Sequence, residues 1–236
     1  MRSPDESPST RDKILAAAVR RFGTDGFGAS LRAIATDAGV SAALIIKIFS
    51  SKENLRTACD AYVLGIVDAA KKEAMRSQDL RNTFLSQMAT FEQYQPLVHY
   101  IVRNFFEGGE MTRRLLVDMH TQAREWMADG VAAGHLKPSR NENLRVMLTF
   151  SISIGWIMQA IVLSGKDLSD LDAGFWIDME HDMMRAALEI YTEGLLTEPT
   201  MLEEYLLYLG DPPPGATGSA DAAGESRPSG RPEDSE

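Results

Sequence analysis

The sequence predicts an all-α protein. Apolar residues recur three and four apart along almost the whole chain, no stretch alternates apolar and polar residues as a half-buried strand would, and Ser, Asp and Gly fall where helices start and stop. With 236 residues there is enough chain for a small unit and a larger one, each with its own core.

The first helix carries Ile14, Leu15, Ala18, Val19 and Phe22 as one apolar stripe, with Gly23 and Gly26 expected to stop it. Next comes the most informative segment, LRAIATDAGVSAALIIKIF over 31–49, in which two short helices flank a Gly39-Val40 turn. Leu31, Ile34 and Ala35 recur at helical spacing, Ala38 is small enough for close crossing, and Gly39 admits the left-handed conformation that ends a helix. Ser30 and Ser41 stand where hydroxyls can accept from the unpaired amides of each following helix. This is the outline of a helix-turn-helix, in which the second helix enters the DNA major groove. Ser50 and Glu53 have the spacing of a capping box, opening a long helix whose buried face would be Leu55, Cys59, Tyr62, Val63 and Ile66.

Across Ile14, Leu15, Ala17, Ala18, Phe22, Gly26, Ile34, Ala35, Ala38, Gly39, Val40, Ser41, Phe49, Ser51, Lys52, Glu53 and Leu55, the first seventy residues resemble the amino-terminal DNA-binding domain of the tetracycline-repressor (TetR) family. Beyond them the resemblance is one of architecture only. It implies a three-helix head, a linking fourth helix and an all-helical body, in a homodimeric transcriptional regulator, most simply a repressor. The family usually carries a tyrosine, and often a histidine two residues later, where this chain has Ile46 and Ile48, so the phosphate contact of that tyrosine does not carry over. Lys47 and Lys52 remain as phosphate partners.

The expected DNA-contacting set is Ser30, Arg32, Thr36, Ser41, Ala42, Ala43, Leu44, Ile45, Lys47 and Lys52. Its recognition helix is poor in hydrogen-bonding groups, which favours apolar contact with thymine methyls and shape readout over bidentate reading of guanine or adenine. Arg20, Arg21 and Arg56 read as a solvated helix face. Charge is distributed accordingly. The chain carries a net charge of −10, yet residues 1–60 hold nine Lys and Arg against seven Asp and Glu, while the remainder holds fifteen against twenty-seven. The excess of positive charge on the head is small, so two subunits are needed for firm binding.

The body reads as a succession of helices. Asp79 caps a segment to about Gln93, Pro96 suits the first turn of the next helix, and Gly108-Gly109 stops it. Glu110 to about Ala133 follows, then a helix opened by Ser139 and Glu142 and reaching about Ser164, then Asp172 to Glu193, then a short helix after Pro199. The run Val146 to Gly165 has no charged residue and is long enough to span a bilayer. Thr149, Ser151, Ser153 and Gln159 within it, and the lack of a basic flank, argue instead for a helix covered by its own domain and by a partner subunit. The resemblance places the dimer interface on this helix and the next, through Ile152, Trp156, Trp176, Met179, Met183 and Ile190. It also implies a small-molecule effector in the body, for which Phe91, Tyr94, Tyr100, Phe105, Met119, Trp126, Phe150 and Trp156 are suitable lining, with His99, His120 and Gln122 as polar contacts.

Domain boundaries follow: a flexible start over 1–8, a DNA-binding domain over 9–70, a dimerisation and effector domain over 71–209, and a Pro/Gly-rich acidic tail over 210–236 expected to be disordered. The start MRSPDESPST lacks a signal-peptide pattern, and the single Cys59 reads as a core residue of a cytoplasmic protein. The four histidines, scattered at 99, 120, 135 and 181, offer no helical metal pair. There is no phosphate loop or nucleophile elbow either, so neither a cofactor nor catalysis is expected. The rival to a regulator is a helical dimeric adaptor whose DNA-binding head has degenerated.

Overall fold

The structure is a computed structural model that describes residues 8–198 and 200–210. Apart from Pro8 and Gly210, the expected flexible start and acidic tail lie outside the described residues, as does Pro199. Among the described residues there are ten α-helices and no strand.

Helix α1 (Thr10–Asp25) is capped by Ser9, α2 (Leu31–Ala38) by Ser30, and α3 (Ala42–Phe49) by Ser41. The stripe of α1 is buried without exception and packs on Ile34, Ala35, Ile45, Phe49, Leu55, Cys59 and Val63. Full burial of side chains of this size contributes about 1.5–3 kcal/mol each. That core, rather than the exposed Arg21–Asp37 pair, holds the head together.

Three local expectations are corrected. Gly23 lies inside α1 and Gly26 alone ends it, at φ 77°. Ser50 does not cap the long helix α4 (Lys52–Arg76); it terminates α3 with φ 68°, and Ser51 is the cap, accepting from Asn54 N at 3.0 Å. Likewise Asn141 rather than Ser139 caps α8 (Glu142–Ser164), while Ser139 N donates to the Glu142 carboxylate at 3.2 Å. Side-chain spacing alone does not distinguish which of two nearby polar residues has the extended backbone that a cap requires.

The body follows with α5 (Leu80–Ala89, capped by Asp79), a 3-10 turn (Phe91–Tyr94), α6 (Gln95–Glu107), α7 (Gly109–Ala132), α8 and α9 (Ala173–Glu193). Helix α6 is the main support of the head. A Cβ on Gly23 would stand 3.0 Å from His99 Cβ and 3.2 Å from Tyr100 N, so only glycine lets α1 and α6 approach this closely. Arg103 donates to the carbonyls of Gly23 and Thr24, at 3.4 and 3.0 Å, and Phe27 N donates to Glu107 at 3.3 Å. Residues 8–185 form one compact unit; the segment from Ala186 forms another, made of the end of α9 and of α10 (Met201–Tyr208).

Candidate nucleic-acid interface

The turn of the helix-turn-helix is built as its residues dictate. Gly39 takes φ 66°, ψ 35°, which lets Val40 N donate to Ala35 O at 2.9 Å and closes α2. Ser30 Oγ and Ser41 Oγ accept from Ala33 N and Leu44 N, both at 3.1 Å. With these amides satisfied locally, α3 presents one face outward. Ser41, Ala43, Ile46, Lys47 and Ile48 are exposed on it, Ala42 and Leu44 are half-buried, and Arg32, Thr36 and Ser30 stand exposed alongside. Lys52, half-buried, opens the adjoining helix.

Ile45 has to be removed from the expected contact set. It is 0% exposed and packed into the head core, so it has no surface to offer a duplex. The helical period that exposes Ala43 and Lys47 turns Ile45 and Phe49 inward. Thr36 donates its hydroxyl to Arg32 O at 3.0 Å, leaving its methyl and acceptor lone pairs for an outside partner.

The basic residues also separate by role. Arg21 is engaged by Asp37 and Asp25, and the guanidinium holds the Asp37 carboxyl below its ordinary range. Arg56 lies 3.4 Å over the Phe27 ring and donates to Asn104 Oδ1 at 2.9 Å, so it ties the head to α6 rather than forming a solvated face. Sequence reasoning gave Arg11 no part, yet its guanidinium sits 5.3 Å from the Phe49 ring at the end of the recognition helix, adding an exposed cation there. Only the packing of α1 on α3 discloses it.

In the body, a cavity of about 290 Å³ is walled by α4, α5, the 3-10 turn, α6, α7 and α8. Of the residues expected to line an effector site, Phe91, Tyr94, Met119 and Phe150 face it. Trp126 joins Met119 and Phe150 around an adjoining hollow of about 200 Å³. Trp156 instead lines a groove between α8 and α9. Phe105 is half-buried outside the lining of these spaces.

Tyr100 is corrected outright. It is fully buried in the head core, its hydroxyl donating to Asp60 Oδ1 at 2.6 Å, and burial raises the pKa of both groups. Periodicity shows that a tyrosine on α6 faces inward, but not toward which of two cores.

The expected interface residues divide too. Trp176 and Met179 are buried within the subunit, Trp176 against His99 at 4.4 Å between ring centroids, so they are unavailable to a partner. Ile152, Trp156 and Met183 are half-buried and Ile190 is exposed. The apolar surface lies elsewhere on α8, where Leu144, Met147, Leu148, Val162 and Leu163 are exposed, Leu163 to 84%. Among the described residues α8 is also the one helix long and apolar enough to cross a membrane.

Comparison with known proteins accords with this geometry. Residues 14–59 match the profile described as bacterial regulatory proteins, tetR family, and residues 92–197 match that of the tetracyclin repressor-like C-terminal domain. The HTH-type transcriptional regulatory protein RaaS of Mycobacterium tuberculosis is 43% identical over 206 residues, covering 87% of this chain and 95% of that protein. In fold, the chain is similar to a putative fatty acid metabolism regulator of Clostridium perfringens (15% identity, TM-score 0.55, covering 79% of this chain and 100% of that one). It is similar also to the TetR-family regulator PfmR of Thermus thermophilus (19% identity, TM-score 0.52, 81% and 100% covered). The chain belongs to the TetR family of transcriptional regulators, with an amino-terminal DNA-binding helix-turn-helix.

Proposed function

We propose that the chain is a homodimeric repressor that holds a palindromic operator through two recognition helices and releases it when a small hydrophobic ligand enters the body. In this reading 9–70 is the DNA-binding domain and 71–209 the dimerisation and effector domain, and the protein acts in the cytoplasm without cofactor or catalytic chemistry. The observation that carries it is the double duty of α6. Leu97, Val98, Ile101 and Val102 wall the cavity, while His99 and Tyr100 press on Gly23 of α1 and Arg103 holds the carbonyls that end it. A ligand that displaces α6 therefore moves the head.

DNA contact is assigned to Ser30, Arg32, Thr36, Ser41, Ala42, Ala43, Leu44, Lys47 and Lys52, with Ile46 and Ile48 adding apolar surface toward thymine methyls. The exposed face of α8, from Leu144 to Leu163, is the surface for the second subunit. Dimerisation would set the recognition helices roughly 34–36 Å apart, one turn of duplex. Release requires the ligand to favour one head spacing by a coupling on the order of 1–3 kcal/mol.

The test is gel-shift titration with duplexes drawn from the upstream region of its own gene and from random-sequence selection, with and without candidate apolar ligands. Selection of an inverted repeat that is lost on ligand addition is the expected result. A folded dimer that ignores every duplex at low ionic strength would instead support the adaptor reading, in which Ile46, 43% exposed, serves a protein contact.

A further inference from the structure

The head has few cations to spare for a duplex. Arg21 is held by Asp37 and Asp25, Arg56 is held by Phe27 and Asn104, and Arg20 lines a hollow between α1, α4 and α6. The recognition helix itself supplies one cation, Lys47, and its other exposed side chains are Ala43, Ile46 and Ile48. DNA is held first through its phosphates, so each remaining cation of the head counts according to where it stands.

Arg11, in the first turn of α1, is such a cation. It is exposed, and among the described residues it makes no hydrogen bond or ion pair, so all its N–H donors are available. What it has instead is a platform. Its guanidinium carbon lies 5.3 Å from the centre of the Phe49 ring, within reach of cation–π attraction. Phe49 is the last residue of α3, 6% exposed and anchored in the head core, so the ring is a fixed seat. An arginine seated on a ring gives up part of its rotamer freedom in advance, while its in-plane N–H groups stay free for the oxygens of one phosphate.

Position decides what it meets. Helix α3 has eight residues, which makes it about 12 Å long, matching the width of the B-DNA major groove, about 12 Å. Laid across the groove, such a helix has its ends at the phosphate walls and only its middle over bases. Arg11 stands at the end marked by Phe49, and three residues further along the chain Lys52 opens α4. From this placement, which rests on DNA binding by the helix-turn-helix and not on release by a ligand, we infer that Arg11 is a phosphate-binding residue of the DNA interface. Seated by Phe49, it grips the backbone beside the end of the recognition helix together with Lys52. It carries no base selectivity; it adds affinity and fixes the register of the head on the duplex.

Fluorescence anisotropy titrations of the full-length protein over a range of KCl concentrations test this, with a mixed-sequence duplex and with the inverted repeat obtained by selection. Arg11→Gln should weaken binding to both alike, on the order of tenfold per subunit near 0.1 M salt, and lower the salt slope of log K by about 0.9 per subunit. Arg11→Lys should keep the slope and lose part of the affinity, because the charge remains and the planar fork does not. The thermal midpoint of both variants should stay at that of the parent, since Arg11 is exposed and outside the head core. Phe49→Leu tests the seat: its loss of affinity should shrink in the Arg11→Gln background, and equal losses in the two backgrounds would show that the ring does not position the arginine. An unchanged slope in Arg11→Gln, or a loss confined to one of the two duplexes, overturns the phosphate assignment and leaves DNA binding by the head standing. A parent chain that ignores every duplex sinks the DNA-binding reading itself, and this inference with it.

Discussion

Lys47 stands exposed on the recognition helix among apolar neighbours, and we propose that it contributes a phosphate charge rather than a base contact. Lys47→Ala should weaken binding evenly across operator sequences and lower the salt slope of log K by about one unit per subunit. A slope unchanged in fluorescence anisotropy titrations would remove Lys47 from the backbone contacts. The buried carboxyl of Glu180 makes stability depend on pH. Burial raises its pKa above the ordinary 4.5, more than His181 and Lys71 lower it, so the folded chain keeps a proton that the unfolded chain releases. Stability then falls as pH rises from about 4.5 through the raised value. Glu180→Gln should flatten that part of the thermal-midpoint profile and raise the midpoint at neutral pH; parallel profiles would show that the carboxylate is not buried in its charged form.

Among the elements, α6 joins cavity to head, and Gly23 is the point of closest approach. Gly23→Val would place branched carbons against the backbone of His99 and Tyr100, which cannot yield as a flexible side chain would. The cost should be about 1–3 kcal/mol, read as a lower thermal midpoint in spite of the better helix propensity of the new residue. A midpoint equal to that of the parent would mean that α1 and α6 are not in firm contact. The helix-turn-helix is held differently, by caps and a left-handed glycine, and those features were plain in the order of residues Ser30, Gly39 and Ser41. The exchange of Ser50 for Ser51 as a cap was not, because both hydroxyls satisfy the spacing to within a residue.

For the whole molecule, the exposed apolar face of α8 lacks cover in an isolated subunit. Leu148→Arg would put a charge in the middle of that face. Sedimentation should then show monomers, and operator affinity should collapse, since a single head carries little excess charge. Retention of a dimer by the variant would move the interface off this face. The apolar composition of the helix was legible in sequence, as was its need of cover. That Trp176 and Met179 would be consumed inside the subunit was not, since an inward and an outward seam have the same three-and-four spacing.

By itself the sequence determined what depends on near neighbours along the chain: the all-α class, the positions of most helices, the apolar stripe of α1, the serine caps and glycine turn of the DNA-binding motif, and the family. These follow from helical period and from hydrogen bonds closed within four or five residues. Tertiary structure alone decided which core each inward face joins. It sent Tyr100 and Ile45 into the head core, turned Arg56 into a clamp between head and α6, and set Lys71 at the edge of an apolar cavity. Those outcomes depend on which distant helices meet, and local periodicity carries no record of that choice.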